Sequence, residues 1–346
     1  MINLEKEIRE QPQVLKNIKS ANIDTINAII ADVKSTDIDN VYFAARGTSD
    51  HACIYAQYLF GIYLGLPCAL ATPSVVSMYN GKLCLKNSLV FGVSQSGKAE
   101  DVLSVIRRAN ENGTITVAIT NNLDSPLAKE AKYHLYCNAG AETSIAATKT
   151  FTSQMYLLAL LCGTWAENNE FLTNLENVPN NIERLLAYVP YQIGEEVWRF
   201  KNTTSAVVLA RGLNYPIALE GALKILETNN MKMKGYPISD FWHGPLAQVA
   251  KGDAVIVLAA KGVMLADAKA MINRLNEIGA SVIVITDDYD VSQTYEMSLK
   301  IPDSGSEAVS PFLFAVTMQL IALKLTVAKG IDPDASKVLN KVTITK

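Results

Sequence analysis

One stretch of this chain occurs twice. Ser88 to Thr120 (SLVFGVSQSGKAEDVLSVIRRANENGTITVAIT) and Asp253 to Thr286 (DAVIVLAAKGVMLADAKAMINRLNEIGASVIVIT) both read as apolar strand, turn, amphipathic helix, Gly-containing turn and apolar strand. Upstream of each copy, Val41 to Ser49 (VYFAARGTS) and Ala206 to Asn214 (AVVLARGLN) share an apolar strand that ends in Ala-Arg-Gly and then enters a helix. The offset is about 165 residues throughout, so one α/β unit is used twice and the fold has to accommodate two like halves.

The runs SLVFGV, ITVAIT, AVIVLAA and SVIVIT are continuously apolar and β-branched, the pattern of strands covered on both faces. Helical periods alternate with them, which argues for doubly wound parallel sheets of the α/β class. A length of 346 residues suits two ordinary domains, and 49% hydrophobic against 19% charged residues suffices for two cores. Residues 1–34 form a polar, helix-prone leader with Pro12 as its one breaker, expected to serve packing or dimer contact. The first domain is expected over 35–185, ending in helices with turn signals at Asn168-Asn169 and Pro179-Asn180-Asn181. The second is expected over 200–330, closing with a long apolar helix from Pro311 to Lys329. A polar tail, 331–346, has to find its order from contacts elsewhere.

The net charge of −3 and the lack of a Lys/Arg run remove the electrostatic footprint of a nucleic-acid binder. MINLEKEIREQPQVLKNIKS has no apolar h-region, so a cytoplasmic protein is expected rather than an exported one. The most apolar helical stretch is read as Met155 to Trp165, short of the roughly 20 residues that a membrane span needs. Cys53, Cys68, Cys84, Cys137 and Cys162 form no CxxC pair and read as reduced thiols. His51, His134 and His243 lie in no metal-ligand spacing, so neither a metal nor a cofactor is expected.

In open parallel sheets, ligands bind beyond the carboxyl ends of strands, where loops enter helix N-termini. Arg46-Gly47-Thr48-Ser49-Asp50 and Ser94-Gln95-Ser96-Gly97 are two such loops, rich in hydroxyls and small residues, and together they read as a cradle for phosphate oxygens. Gly92 to Ala99 (GVSQSGKA) also fits GxxxxGK, but Ala99 stands where a nucleotide-binding P-loop needs a hydroxyl for Mg²⁺, which argues against an NTPase.

GTSDHA at 47–52, SQSGKAEDV at 94–102, ETSIAATKTFTSQ at 142–154 and HGPLA at 243–247 resemble, in order and spacing, the sugar isomerase (SIS) domain family and within it the isomerase half of glucosamine-6-phosphate synthase. The resemblance implies two tandem SIS domains, each a five-stranded, flavodoxin-like parallel sheet flanked by helices. It also implies that Gly47, Thr48, Ser49, Ser94, Gln95, Ser96 and Gly97 hold the sugar's phosphate and neighbouring hydroxyls. Glu142, Ile145 and Thr148 belong to the loop that closes the site. On Ala218 to Asn230 (ALEGALKILETNN), Glu227 matches the carboxylate that moves a proton between C1 and C2, and Lys224 lies one turn earlier. His243 matches the ring-opening histidine, which the family supplies to a neighbouring subunit, so a homodimer is implied. Lys341 matches the tail lysine that meets the open-chain sugar; Lys337 and Lys346 are its neighbours in the tail.

Chemistry independently wants such a base, because interconverting an aldose and a ketose, or their imines, removes and returns one carbon-bound proton. Lys98-Ala99 replaces the family's usual Glu-Thr after SQSG, so one hydroxyl contact to phosphate is missing and the charge of Lys98 is the available compensation; Leu226 replaces a lysine beside the catalytic glutamate, which bears on substrate identity. Nothing here matches the synthase's glutaminase domain, so the expected reaction is degradative: ring opening of an amino-sugar 6-phosphate, C2-to-C1 proton transfer and hydrolysis to ammonia and a ketose phosphate. A plain ketose/aldose phosphate isomerase, a fructosamine-6-phosphate deglycase and a non-catalytic sugar-phosphate-binding regulator are the alternatives.

Overall fold

The computed structural model describes residues 2–194, 197, 200–335 and 341, and its backbone divides into two compact units. One contains Gln13–Glu142, Lys149–Glu176 and Asn340–Lys346; the other contains Met1–Pro12, Thr143–Thr148 and Asn177–Leu339. Lys337 and Lys346 lie outside the described residues.

The chain opens with α1 (Asn3–Lys34), a single helix that runs from one unit into the other. Pro12 lies inside it and cannot donate to the carbonyl of Ile8, yet the helix continues. Gln11 supplies the missing donor: its Nε2 reaches the Ile8 oxygen at 3.0 Å. The first sheet contains β1 (Asn40–Ala44), β2 (Cys68–Leu70), β3 (Ser88–Val93), β4 (Ile115–Thr120) and β5 (Tyr133–Tyr136) in the order β2-β1-β3-β4-β5, every pair parallel. Its crossovers are α2 (Thr48–Leu64), α3 (Pro73–Ser77), α4 (Glu100–Glu111) and α5 (Pro126–Glu130), followed by α6 (Lys149–Trp165) and α7 (Asn169–Glu176). Every residue of β3 and β4 is buried, as their unbroken apolar sequences require. Phe43 and Phe91 stack with centroids 5.1 Å apart, and Phe60 meets both edge-on from α2.

In the other unit α8 (Val178–Gln192) precedes β6 (Ser205–Ala210), α9 (Tyr215–Asn229), β7 (Lys232–Pro237), α10 (Ile238–Trp242), β8 (Ala254–Ala259), α11 (Leu265–Ile278), β9 (Ser281–Thr286), α12 (Tyr289–Thr294), β10 (Ser298–Lys300) and α13 (Ser310–Ala328). The strands run parallel in the order β10-β9-β8-β6-β7, which is the first sheet's permutation read from its other edge. The repeat seen in sequence is therefore a repeat of topology, and the two sheets are those of tandem five-stranded α/β domains.

One expectation is overturned. The longest strongly apolar helix is α13, not Met155–Trp165: it has 19 residues and a window of mean hydropathy 1.7, enough by length and composition to cross a membrane. That window is 83% buried within the protein, where α13 packs on α9 and α8, so its apolarity is that of a core helix.

Gly235 on β7 fixes how closely α9 approaches its sheet. A Cβ there would lie 2.6 Å from the backbone carbon and oxygen of Ala218 and from the nitrogen of Leu219. Backbone atoms cannot step aside as a side-chain tip can, so Gly235→Ala is expected to lower stability by about 2–3 kcal/mol by forcing helix and strand apart. Thermal melting of the variant beside wild type measures this.

Candidate active site

At the carboxyl edge of the first sheet, β1 and β3 are direct neighbours, and the loops that leave them are Arg46 to Ser49 and Ser94 to Gly97. Gly47 takes φ 54° and turns the chain into α2, with Thr48 half-buried and Ser49 buried in the helix's first turn. In the second loop the Ser94 N–H extends the pairing to the Ile119 carbonyl (3.0 Å), and the Gln95 carbonyl accepts the Asn121 N–H (3.0 Å). The Ser94 hydroxyl accepts from the Gly97 N–H (3.2 Å) and Ser96 from the Lys98 N–H (3.4 Å). Gly97 has φ 63°, and a Cβ on it would meet the Ser125 hydroxyl at 2.3 Å, so the loop needs glycine on both counts.

The two loops are tied together. Arg46 Nε donates to Asp101 Oδ2 at 2.6 Å, linking the end of β1 to the first turn of α4, and the Asp101 side chain is 2% exposed. Asp50, in the first turn of α2, has its pKa raised by burial, against the opposing charges of His51 and Arg46.

In the same unit, the Glu142 carboxylate is wholly buried and fully engaged. It accepts from the Thr150 N–H (3.1 Å) and hydroxyl (2.7 Å) and pairs with Lys341 Nζ at 3.0 Å. Two sequence-selected residues 199 positions apart are thus in contact. The Cys137 thiol is pushed up by burial and by the Glu142 charge, which keeps it protonated. In the segment that follows, Ile145 is half-buried and Thr148 buried.

In the other unit, α9 carries a buried ionic group. Lys224, 2% exposed, places Nζ 2.7 Å from Glu227 Oε2 and 3.3 Å from Glu220 Oε1. Burial alone pulls the lysine's pKa down, but the two carboxylates outweigh it and the value ends above the ordinary 10.5. The ammonium is therefore charged at neutral pH and acts as an anchor rather than a base. Glu227 pairs with Lys224 yet retains 20% exposure of its side chain. His243 caps α10 through its backbone N–H to Asp240 (3.0 Å), and it is exposed beside the equally exposed Trp242.

The carboxyl edge of the second sheet repeats the tie but not the cradle. Arg211 pairs with Asp267 in the first turn of α11, as Arg46 does with Asp101 in α4. The loop after β8 is instead occupied by the chain's own acids: Asp287 accepts the Lys261 N–H at 2.7 Å, and Glu307 accepts the Val263 N–H at 3.2 Å. Burial raises Asp287 from 3.8 to about 6, although the Lys261 N–H favours its charged form.

Residues 36–162 and 200–329 each match the SIS domain family, so the chain belongs to that family and carries its domain twice. Glutamine–fructose-6-phosphate aminotransferase (isomerizing) of Legionella pneumophila is 32% identical over 97% of this chain, which spans only 57% of that protein's length. The counterpart from Gloeobacter violaceus is 34% identical with the same coverage. Among solved structures, the C-terminal domain of glucosamine-fructose-6-phosphate aminotransferase from Francisella tularensis superposes with a TM-score of 0.87 at 26% identity, covering 96% of this chain and 98% of that one.

Sequence reading overlooked Glu220 and the two Arg-Asp ties. Each had a signal: Glu220, Lys224 and Glu227 fall at i, i+4 and i+7 on one helical face, and each Ala-Arg-Gly is matched by an acid near the start of the amphipathic helix in the repeated unit that follows it, Asp101 and Asp267.

Because the folded pKa of Asp287 lies above its ordinary value, its contribution to stability is complete below about pH 4 and is lost as pH rises through about 6. Asp287→Asn keeps the acceptor for Lys261 without the charge. It is expected to match wild type in acid and to exceed it above pH 7 by up to about 3 kcal/mol, read from melting temperatures across the pH range.

Proposed function

We propose that this chain is a phosphosugar isomerase/deaminase that acts on an amino-sugar or ketose 6-phosphate by ring opening and proton transfer between C1 and C2. The observation that carries the reading is Glu227. It is a partly exposed carboxylate held at 2.7 Å by a buried lysine on a rigid helix, in a chain that belongs to the SIS family and matches aminotransferase relatives over 97% of its length.

In this reading the loops Gly47 to Ser49 and Ser94 to Gly97 hold the phosphate through hydroxyls and backbone N–H groups, with Lys98 adding charge. The segment from Glu142 through Ile145 to Thr148 closes over the sugar. His243, exposed on its short helix, opens the ring in the site of a neighbouring subunit, which makes the working form a homodimer. Glu227 then removes the proton from C2 of the open-chain amino sugar and returns it at C1, leaving an imine at C2. Water adds to the imine carbon and ammonia departs, so amino-sugar phosphate and water become ketose phosphate and ammonia. Lys224 fixes the orientation of Glu227, and Lys341 meets the open-chain sugar next to Glu142. Five free cysteines suit a reducing, cytoplasmic setting.

A panel of glucosamine 6-phosphate, fructosamine 6-phosphate, glucose 6-phosphate and fructose 6-phosphate, scored for ammonia and for ketose or aldose formation, tests this and separates deaminase, deglycase and isomerase. Glu227→Gln is expected to lower turnover about 10²- to 10⁴-fold at an unchanged melting temperature. Full turnover in that variant would remove Glu227 from the mechanism.

A further inference from the structure

The first turns of α1 are fastened by residues from far along the chain. Asp334 accepts the N–H groups of Asn3 (2.6 Å) and Leu4 (3.0 Å), two of the donors that a helix start leaves unpaired. Gln11 donates to Gln319 on α13 at 2.8 Å. Between these fastenings lies Glu7, 3% exposed.

Glu7 belongs to no ion pair among the described residues, and its carboxylate is spent on a loop. Oε1 accepts the Thr143 N–H at 2.5 Å and the Thr143 hydroxyl at 3.1 Å, and both oxygens lie 3.3 Å from the Ser144 nitrogen. Loop amides are ordinarily satisfied by solvent or by local turns. Here two consecutive amides share one buried carboxylate 136 positions away. These amides directly follow Glu142, which holds Lys341, and they open the segment that ends at Thr148. A helix that merely covered apolar surface would place a hydrocarbon side chain at position 7. A buried carboxylate is tolerated because charge-assisted hydrogen bonds compensate it, and those bonds go to this loop alone.

We propose that Glu7 is a positioning residue for the sugar-closing loop: it fixes the backbone at Thr143 and Ser144 so that Glu142 and the residues through Thr148 are set before a sugar phosphate arrives. This rests on the reading above that the segment closes over the sugar. The leader helix is then part of the site's framework.

The test uses the full chain with Glu7→Gln, the milder Glu7→Asp, and Lys6→Gln on the exposed side of the same turn as control. Hydrogen exchange at the Thr143 and Ser144 amides is expected to quicken about tenfold in Glu7→Gln, less in Glu7→Asp and not in the control, with α13 and the second sheet unaffected. The KM for glucosamine 6-phosphate, or for whichever panel compound wild type converts, is expected to rise about tenfold while kcat changes less than about twofold, the mark of lost binding rather than lost chemistry. Unchanged exchange at the two amides, equal acceleration throughout the unit, or faster exchange with an unaltered KM each overturns the proposal. A wild-type chain that converts no sugar phosphate defeats the functional reading instead, and the exchange pattern still decides whether Glu7 fixes the loop.

Discussion

Parallel strands cannot be joined by tight turns, and both faces of a parallel sheet have to be covered. Each crossover must therefore run back along the sheet as a helix, and each strand must deliver its chain, at its carboxyl end, to a loop that starts the next helix. The unbroken burial of β3, β4 and β8 is one expression of that constraint, and the loops at Arg46 to Ser49 and Ser94 to Gly97 are another. The scaffold thus decides where polar chemistry can collect before any side chain is chosen.

What the scaffold leaves open is how each edge is used, and the two copies answer differently. Both retain the arginine that ends the first strand and the acid that receives it, which shows the tie to be a structural part of the unit rather than a feature of one site. In the first copy the loop after β3 offers Ser94, Gln95 and Ser96. In the second the equivalent stretch reads Ala259-Ala260-Lys261, where Asp287 takes the Lys261 N–H, and Glu307 takes that of Val263 two residues on. A carboxylate already seated on those donors would repel an incoming anion and compete with it, so duplication of the fold has not duplicated the open, hydroxyl-rich loop.

Much of this was legible in the sequence, because the repeat and the apolar strands report burial directly. The edge strands β2, β5 and β10 were not: each is three or four residues long with mixed exposure, so neither an apolar run nor a clean alternation marks them. Met155–Trp165 of α6 and most of α13 are both core-covered, so their apolar sequences look alike and only the length of α13 sets it apart. The two hydroxyl-rich loops stood out from their place at strand ends and Glu227 only through family resemblance, and the Lys341–Glu142 contact joins two residues chosen separately on that ground. Glu7 and Glu220 were missed because a buried glutamate on a helix has the same one-letter signature as a solvated one; only the partner tells them apart.

The ionic group on α9 shows why that difference matters. One ammonium faces two carboxylates, Glu220 and Glu227, from the same helix. Glu220 and Lys224 each leave only 2% of their side chains exposed, and an unbalanced charge is costly at either. Glu227, with 20% of its side chain exposed, keeps more of its hydration than Glu220 does. The helix thus holds one acid in place to balance the lysine and leaves the other both oriented by it and open on its outer side. A carboxylate merely exposed would be free to rotate; Glu227 is instead fixed by Lys224 while its outer side stays open to solvent.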